Sequence, residues 1–115
     1  MHPHQAQPEL LKFCNEKGII LTAYSPTGYA GVREDPTVIK LAEKYNVSPA
    51  QISIAWHIAR GTTAVPKSTD SGRQRGNLLV RQIIHGYVLY AVFLTLNIGA
   101  TKIEWRGYRS AHQSP

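Results

Sequence analysis

Four polar side chains that follow residue 66 are of types that bind a phosphate group and a flat heteroaromatic ring: Lys67, Ser68, Arg73 and Asn77. A lysine ammonium is a point charge suited to phosphate, and a serine hydroxyl adds a hydrogen-bonding group. An arginine can pair with the same phosphate while laying its planar guanidinium on a ring, and an asparagine amide can pair with an adenine edge. By type alone, Lys67 and Arg73 would be ordinary solvated cations. Only their spacing can indicate whether they bind a phosphate instead.

A second group follows an apolar run and consists of one aromatic residue and three small ones: Tyr24, Ser25, Thr27 and Gly28. A tyrosine at a strand end can offer a flat face to a ring, or it can simply close the strand. Ser25 and the Thr27-Gly28 backbone can hydrogen-bond a phosphate, because a loop of small residues allows close approach. These two groups together are our candidate binding residues.

Composition restricts the class of protein. The 115 residues are 43% apolar and 17% charged, with a formal net charge of +6. These values predict one small, mildly basic globular fold, and they exclude a disordered chain and a polybasic nucleic-acid tail. Most of the positive charge lies in residues 67–115, which hold seven Lys and Arg against two acidic residues. One cysteine and no basic-then-apolar leader lead us to expect a cytoplasmic protein.

Metal binding and nucleophilic chemistry have little support in the sequence. We predict that His2 and His4 are a solvated terminal pair, because no carboxylate or cysteine completes a site with them. Cys14 lies on the apolar stripe of a predicted helix, which indicates a buried structural thiol. His57 has no acidic residue three or four positions away. We therefore predict no metal and no catalytic residue in these groups.

The first half of the chain begins with a helix and a strand in our prediction. Pro8 suits the first turn of a helix that Gly18 ends, with Leu10, Phe13 and Cys14 on its apolar stripe. Residues 19–24 form a continuous apolar run, which predicts a strand buried on both faces of a parallel sheet. A flexible loop is expected at residues 27–31.

Two capping signals predict the next two helices. Asp35 precedes a proline, and Ser48 stands three residues before Gln51 in a capping-box pattern. The second of these helices ends at Gly61, and residues 63–65 form a short strand that Pro66 closes. Parallel neighbours need a helical crossover between them, so the fold class is α/β with a parallel sheet.

Three stretches together resemble the aldo-keto reductase family: His2-Pro3 with Gln7-Pro8-Glu9-Leu10, then Thr22-Ala23-Tyr24-Ser25-Pro26-Thr27-Gly28, then Val65-Pro66-Lys67-Ser68 with Arg73 and Asn77. The two capped helices fall where that family places them. The resemblance covers residues 2–77, about two-thirds of the chain. Its joint spacing, which includes the six positions from Lys67 to Arg73 and the four more to Asn77, is specific.

The resemblance implies a partial (β/α)8 TIM barrel, with NADP(H) at the carboxyl ends of its strands. Residues 19–24 and 63–65 resemble the seventh and eighth strands, so we expect domain 1–77 to be equivalent to the last two β/α units. The implied contacts are Lys67, Ser68 and Arg73 with the 2′-phosphate, Arg73 and Asn77 with adenine, Tyr24 with nicotinamide, and Ser25, Thr27 and Gly28 with the pyrophosphate. Thr27 and Gly76 depart from the family pattern, which has a larger apolar residue and an acidic one there.

The family's catalytic Asp, Tyr, Lys and His come from earlier strands, so the resemblance implies no catalytic residue in this chain. We expect an inactive fragment of an NADP-dependent oxidoreductase that reduces aldehydes, ketones or sugars. Two strands taken from a closed barrel would expose two edges. They would also leave the stripe at Val38, Leu41 and Tyr45 underpacked, and we therefore expect self-association.

Residues 78–115 do not resemble the family and form a divergent tail in this interpretation. From Gln82 to Thr101 the sequence is uncharged, and three structures remain open for it: a membrane helix, a packed strand-rich segment, or poorly structured sequence. The alternative function is a non-enzymatic remnant or interaction protein, membrane-associated through residues 82–101. A truncated or mis-translated gene product, with an intron read as coding from near Val80, would account for both the missing first six strands and the tail that does not resemble the family.

Overall fold

The computed structural model describes residues 1–83, in which five helices and two strands follow one another. They are α1 (Pro8–Glu16), β1 (Thr22–Tyr24), α2 (Tyr29–Arg33), α3 (Pro36–Tyr45), α4 (Pro49–Ala59), β2 (Thr63–Val65) and α5 (Ser71–Ile83). The two strands are parallel, with Thr22 opposite Thr63 and Tyr24 opposite Val65. Both strands therefore end on the same side, and the predicted parallel pairing is confirmed.

The predicted capping residues begin helices α3 and α4 at the expected positions. Asp35 caps α3, because its Oδ1 accepts the backbone N–H groups of Thr37 and Val38 at 2.8 and 3.3 Å. Ser48 and Gln51 form the expected capping box at the start of α4. Gly18 and Gly61 follow α1 and α4 with φ of 68° and 72°, a backbone conformation that glycine adopts without a steric penalty.

The main apolar cluster lies among α2, α3 and α4. Its buried members are Val32, Val38, Leu41, Ala42, Ile52 and Trp56, and the half-buried Tyr45 packs against them. The prediction that the stripe of α3 would be underpacked is therefore wrong for Val38 and Leu41. The reason is that α3 packs against α4, so its burial does not depend on strands outside this segment.

Strand β1 is shorter than the apolar run that predicted it. It covers only Thr22–Tyr24, and Ala23 alone of the three is buried. Ile19 and Ile20 precede the strand and are 51% and 74% exposed. Leu10 and Phe13 of α1 are also exposed, and of their predicted stripe only Cys14 is buried.

Residues 29–31 of the expected flexible loop belong to the short helix α2, which continues to Arg33. Val32 carries this helix into the main apolar cluster and is only 1% exposed. The sequence hides the signal because one buried valine among small and polar residues gives no helical periodicity. Helix α2 therefore packs the chain that leaves β1 against α4.

Candidate functional site

A groove of about 1100 Å³ lies beyond the carboxyl ends of β1 and β2 and against the first turns of α5. Seven of the eight candidate residues border it: Tyr24, Ser25, Thr27, Lys67, Ser68, Arg73 and Asn77. The residues come from two segments about 40 positions apart in sequence. The parallel pairing of two three-residue strands brings both segments to one edge.

Arg73 is oriented by hydrogen bonds to Ser68 and Asp70, which lie in the turn before α5. Its Nε donates to Ser68 Oγ at 3.3 Å, and its backbone N–H donates to Asp70 Oδ1 at 2.7 Å. The same carboxylate oxygen lies 3.9 Å from Arg73 Nε in an exposed ion pair. Ser68 Oγ also accepts the backbone N–H of Asp70 at 3.1 Å, so one hydroxyl organises the turn before α5.

Two tyrosines, Tyr24 and Tyr29, border the groove. Tyr24 is 79% exposed at the end of β1 and leaves its ring available to a ligand. Ser25 Oγ lies 3.2 Å from the hydroxyl oxygen of Tyr29, which also borders the groove. Ser25 and Tyr29 both have positive φ, 48° and 57°, a conformation that side chains other than glycine rarely adopt. Such strained backbone clusters at ligand sites.

Gly28 is the one candidate that does not border the groove. It is buried, and a Cβ at this position would lie 2.2 Å from Cγ2 of Val32 and 2.9 Å from Cγ of His2. Its N–H donates to the carbonyl of Ser25 at 3.1 Å, so the tight turn already uses the donor proposed for a pyrophosphate. Glycine is needed here for packing and for a φ of 66°.

The groove is also lined by residues that were not among the sequence-based candidates, and three of them bear on its chemistry. Arg33 and Tyr29 come from α2, whose existence the sequence did not reveal, and Gln51 comes from the capping box of α4. Arg33 adds a third cation to Lys67 and Arg73, whereas Asp70 is the only acidic residue that borders the groove in the described part of the chain. The groove therefore favours an anionic ligand.

His57 ties the loop after β1 to α4, a role that its sequence neighbours did not indicate. The ring is fully buried, and Nε2 donates to the carbonyl of Pro26 at 3.2 Å, while Nδ1 lies 3.2 Å from Thr62 Oγ1. Burial, with a smaller contribution from the positive charge of Arg60, lowers its pKa to about 4, although the hydrogen bond to the Pro26 carbonyl acts in the opposite direction. His57 is therefore neutral at pH 7 and structural.

The two N-terminal histidines are not the solvated pair that we predicted. His2 is half-buried beside Gly28, and burial together with the N-terminal charge lowers its pKa. His4 is exposed, but its Nε2 lies 3.0 Å from Oδ2 of Asp35. Burial alone would raise the pKa of Asp35. The hydrogen bonds that its carboxylate accepts from His4 and from the backbone N–H groups of Thr37 and Val38 outweigh this effect, so its pKa is lowered. Within residues 1–83, no cluster of three or more potential metal ligands occurs.

Comparison with known proteins gives the class. A sequence model of the aldo/keto reductase family matches residues 1–83. Glycerol 2-dehydrogenase (NADP(+)) of Saccharomyces cerevisiae is 40% identical over 79 residues, which is 67% of this chain and 25% of that protein. D-galacturonate reductase of Hypocrea jecorina is 42% identical over 80 residues, which is 67% of this chain and 26% of that protein.

A solved structure agrees with these sequence matches. An aldo/keto reductase from Brucella melitensis superposes with a TM-score of 0.69 at 34% identity, over 83% of this chain and 37% of that one. The chain therefore belongs to the aldo/keto reductase family, whose fold is the TIM barrel. It spans about a quarter of the length of the curated relatives it matches, and its described part is a two-stranded α/β segment of that fold.

The prediction for the tail falls mostly outside the described structure. No helix within residues 1–83 is long and apolar enough to cross a membrane. The uncharged stretch 82–101 continues beyond these residues, so the three alternatives for it stay open. Helix α5 itself runs on to Ile83, and the family match also extends to residue 83.

Proposed function

We propose that this chain is the part of an NADP-dependent aldo-keto reductase that holds the adenosine end of the cofactor and one face of its nicotinamide. The supporting observation is the groove, which Lys67, Ser68 and Arg73 border from the segment after β2 and Tyr24 and Ser25 border from the segment after β1. In this proposal β1 and β2 are the seventh and eighth strands of the barrel, and the protein works in the cytoplasm on a small carbonyl compound.

The polar residues after β2 fit a 2′-phosphate by their chemistry. Lys67 is exposed, and none of the described carboxylates lies within salt-bridge distance of it, so its ammonium is available to an anion. The Arg73 guanidinium is already turned towards Ser68 Oγ, which leaves its terminal nitrogens for phosphate. Asn77, one turn further along α5, would pair with the edge of adenine above them.

The exposed ring of Tyr24 fits a flat ligand ring. Bound NADPH would supply a hydride to the carbonyl carbon of a substrate. Tyr24 would orient the nicotinamide by stacking, and Ser25 would hydrogen-bond the linking phosphates. In this proposal both residues contact the cofactor and neither serves as the general acid for the carbonyl oxygen, and general acid catalysis contributes about two to four orders of magnitude. We therefore expect no NADPH-dependent turnover of aldehydes from these 115 residues alone.

The proposal is tested by isothermal titration of the 115-residue chain with adenosine 2′,5′-bisphosphate and with 5′-AMP. We expect millimolar binding of the bisphosphate and weaker binding of 5′-AMP, because the 2′-phosphate adds charge-assisted hydrogen bonds worth roughly 1.5–3 kcal/mol each. Lys67→Ala and Arg73→Ala should each remove most of this preference.

Lys44→Ala is the matched control, because Lys44 is an exposed cation on α3 whose ammonium lies over the ring of Tyr45 and does not border the groove. It should leave both affinities unchanged. Equal binding of the two nucleotides by the unaltered chain, or equal effects of the three substitutions, would show that Lys67 and Arg73 are ordinary surface cations.

A further inference from the structure

Gln51 uses both ends of its side-chain amide to join two helices. Its Oε1 accepts the backbone N–H of Ser48 at 2.9 Å, which is half of the capping box that starts α4. Its Nε2 donates to the carbonyl of Gly76 in α5 at 3.0 Å. The residue is half-buried and borders the groove between these helices.

The carbonyl that Gln51 holds belongs to the helical turn that carries two of the candidate residues. Gly76 lies three positions after Arg73 and directly before Asn77. Two glycines, Gly72 and Gly76, make this turn of α5 intrinsically weak, because glycine has the largest conformational entropy to lose in a helix. A hydrogen bond from outside the helix therefore has more to stabilise here than in an alanine-rich turn.

A second contact between the two helices lies further along. Val80 is buried against Ile54 and Ala55 of α4. This apolar packing holds α5 against α4 but is non-directional. The polar contact at Gly76, about one turn earlier, supplies a second fixed point. Two points on one helix set the direction in which Arg73 and Asn77 face.

We propose that Gln51 is a positioning residue, whose hydrogen bond to the Gly76 carbonyl holds the 73–77 turn of α5 towards the groove. Its effect on ligand affinity rests on the function proposed above, whereas its effect on the turn does not. Nothing in the sequence pattern separates this role from helix capping, because the capping box accounts for Gln51 by itself.

Three neutral or conservative variants of the 115-residue chain separate the two roles of Gln51. Ser48→Ala weakens the capping box and leaves the bond to Gly76. Gln51→Met removes both bonds at similar side-chain length and without a charge. Gln51→Glu keeps an acceptor for the Ser48 N–H, so α4 still starts normally, but it replaces the donor to Gly76 with a carboxylate oxygen.

Amide hydrogen exchange of residues 73–77 is the first measurement, and it needs no ligand. We expect exchange about fivefold faster in Gln51→Glu and Gln51→Met than in Ser48→Ala, which is the factor for one net hydrogen bond. Exchange in residues 38–45 of α3 should be equal in all three. Equal exchange at 73–77 in Ser48→Ala and Gln51→Glu would overturn the proposal, and this comparison decides even if Gln51→Met fails to fold.

Affinity for adenosine 2′,5′-bisphosphate is the second measurement. Gln51→Met should bind about fivefold more weakly than Ser48→Ala, and equal affinities would overturn the positioning of ligand contacts by Gln51. If the unaltered chain does not bind the bisphosphate, the proposed function fails, and the exchange comparison still decides whether Gln51 holds the turn.

Discussion

His57 Nε2 donates a hydrogen bond to the carbonyl oxygen of Pro26 at 3.2 Å, which fastens the loop between Tyr24 and Gly28 to the buried face of α4. The ring is fully buried beside Trp56, at a centroid distance of 4.7 Å. This contact positions the loop at residues 24–28, which borders the groove, and it depends on a buried imidazole that is neutral at pH 7.

The neutrality of His57 makes the stability of the chain depend on pH. In the unfolded chain His57 takes up a proton near its ordinary pKa of 6.5, whereas burial lowers its pKa in the folded chain to about 4. The contribution is therefore complete above pH 6.5 and is lost as the pH falls towards 4, by up to about 3 kcal/mol. Urea unfolding at pH 7 and pH 4.5 measures the loss.

His57→Gln is the control for this pH dependence, since it keeps a polar side chain but cannot titrate. It should lower the free energy of unfolding at pH 7 and make that free energy change less between pH 7 and pH 4.5 than in the unaltered chain. The same pH dependence in both chains would mean that other groups cause it.

Asp70→Asn should strengthen anion binding in the groove. The Asp70 carboxylate lies 3.9 Å from Arg73 Nε and competes with a phosphate for that guanidinium. Asparagine keeps an oxygen for the Arg73 backbone N–H. Exposed ion pairs are worth up to about 1 kcal/mol, so we expect adenosine 2′,5′-bisphosphate to bind about two- to fivefold tighter by calorimetry. Unchanged or weaker binding would show that Asp70 does not oppose the ligand.

Gly76→Ala should raise the free energy of unfolding of the chain by about 0.5–1 kcal/mol, the difference in helix propensity between the two residues. Its Cβ would meet only the Gln51 amide, at 3.7 Å, which is an ordinary contact. Gly72→Ala is the matched comparison, because its Cβ would lie 3.3 Å from Asp70 Oδ1 and would press on the group that holds Arg73. Urea unfolding should rank Gly76→Ala above Gly72→Ala, and the reverse order would contradict this packing.

Self-association should rise with concentration. The sheet of residues 1–83 has only two strands, and the outer edge of each has no strand beside it within the described residues, which is a known route to intermolecular pairing. Sedimentation velocity at increasing concentration tests this. We expect oligomers at the higher concentrations, and a monomer at every concentration would show that the edges are protected.

The sequence predicted those elements whose signals are local. Ser48 and Asp35 cap helices through their own side chains within three residues, so a short window of sequence contains the whole signal. The parallel pairing also followed from the order of elements. The spacing of Lys67, Arg73 and Asn77 resembles that of the family, and all three border the groove.

What the sequence could not show depends on contacts between distant residues. The His57 side chain has no hydrogen-bond partner within four positions on its own helix. Its role in holding the loop after β1 comes from the Pro26 carbonyl, 31 positions away. Gly28 resembled a ligand-contacting glycine, but His2 and Val32 occupy the space beside it. The exposure of Ile19 and Ile20 depends on what packs against them in the fold, which the run at 19–24 does not encode.

The central claim is that two segments of the chain, residues 24–27 and 67–77, bind one ligand together, and amide chemical-shift mapping by NMR during titration with NADP⁺ tests it most directly. We predict that amides in both segments shift along a single binding curve, while those of α1 and of α3 do not move. Shifts confined to residues 67–77, or spread evenly over the exposed cations of the chain, would contradict it.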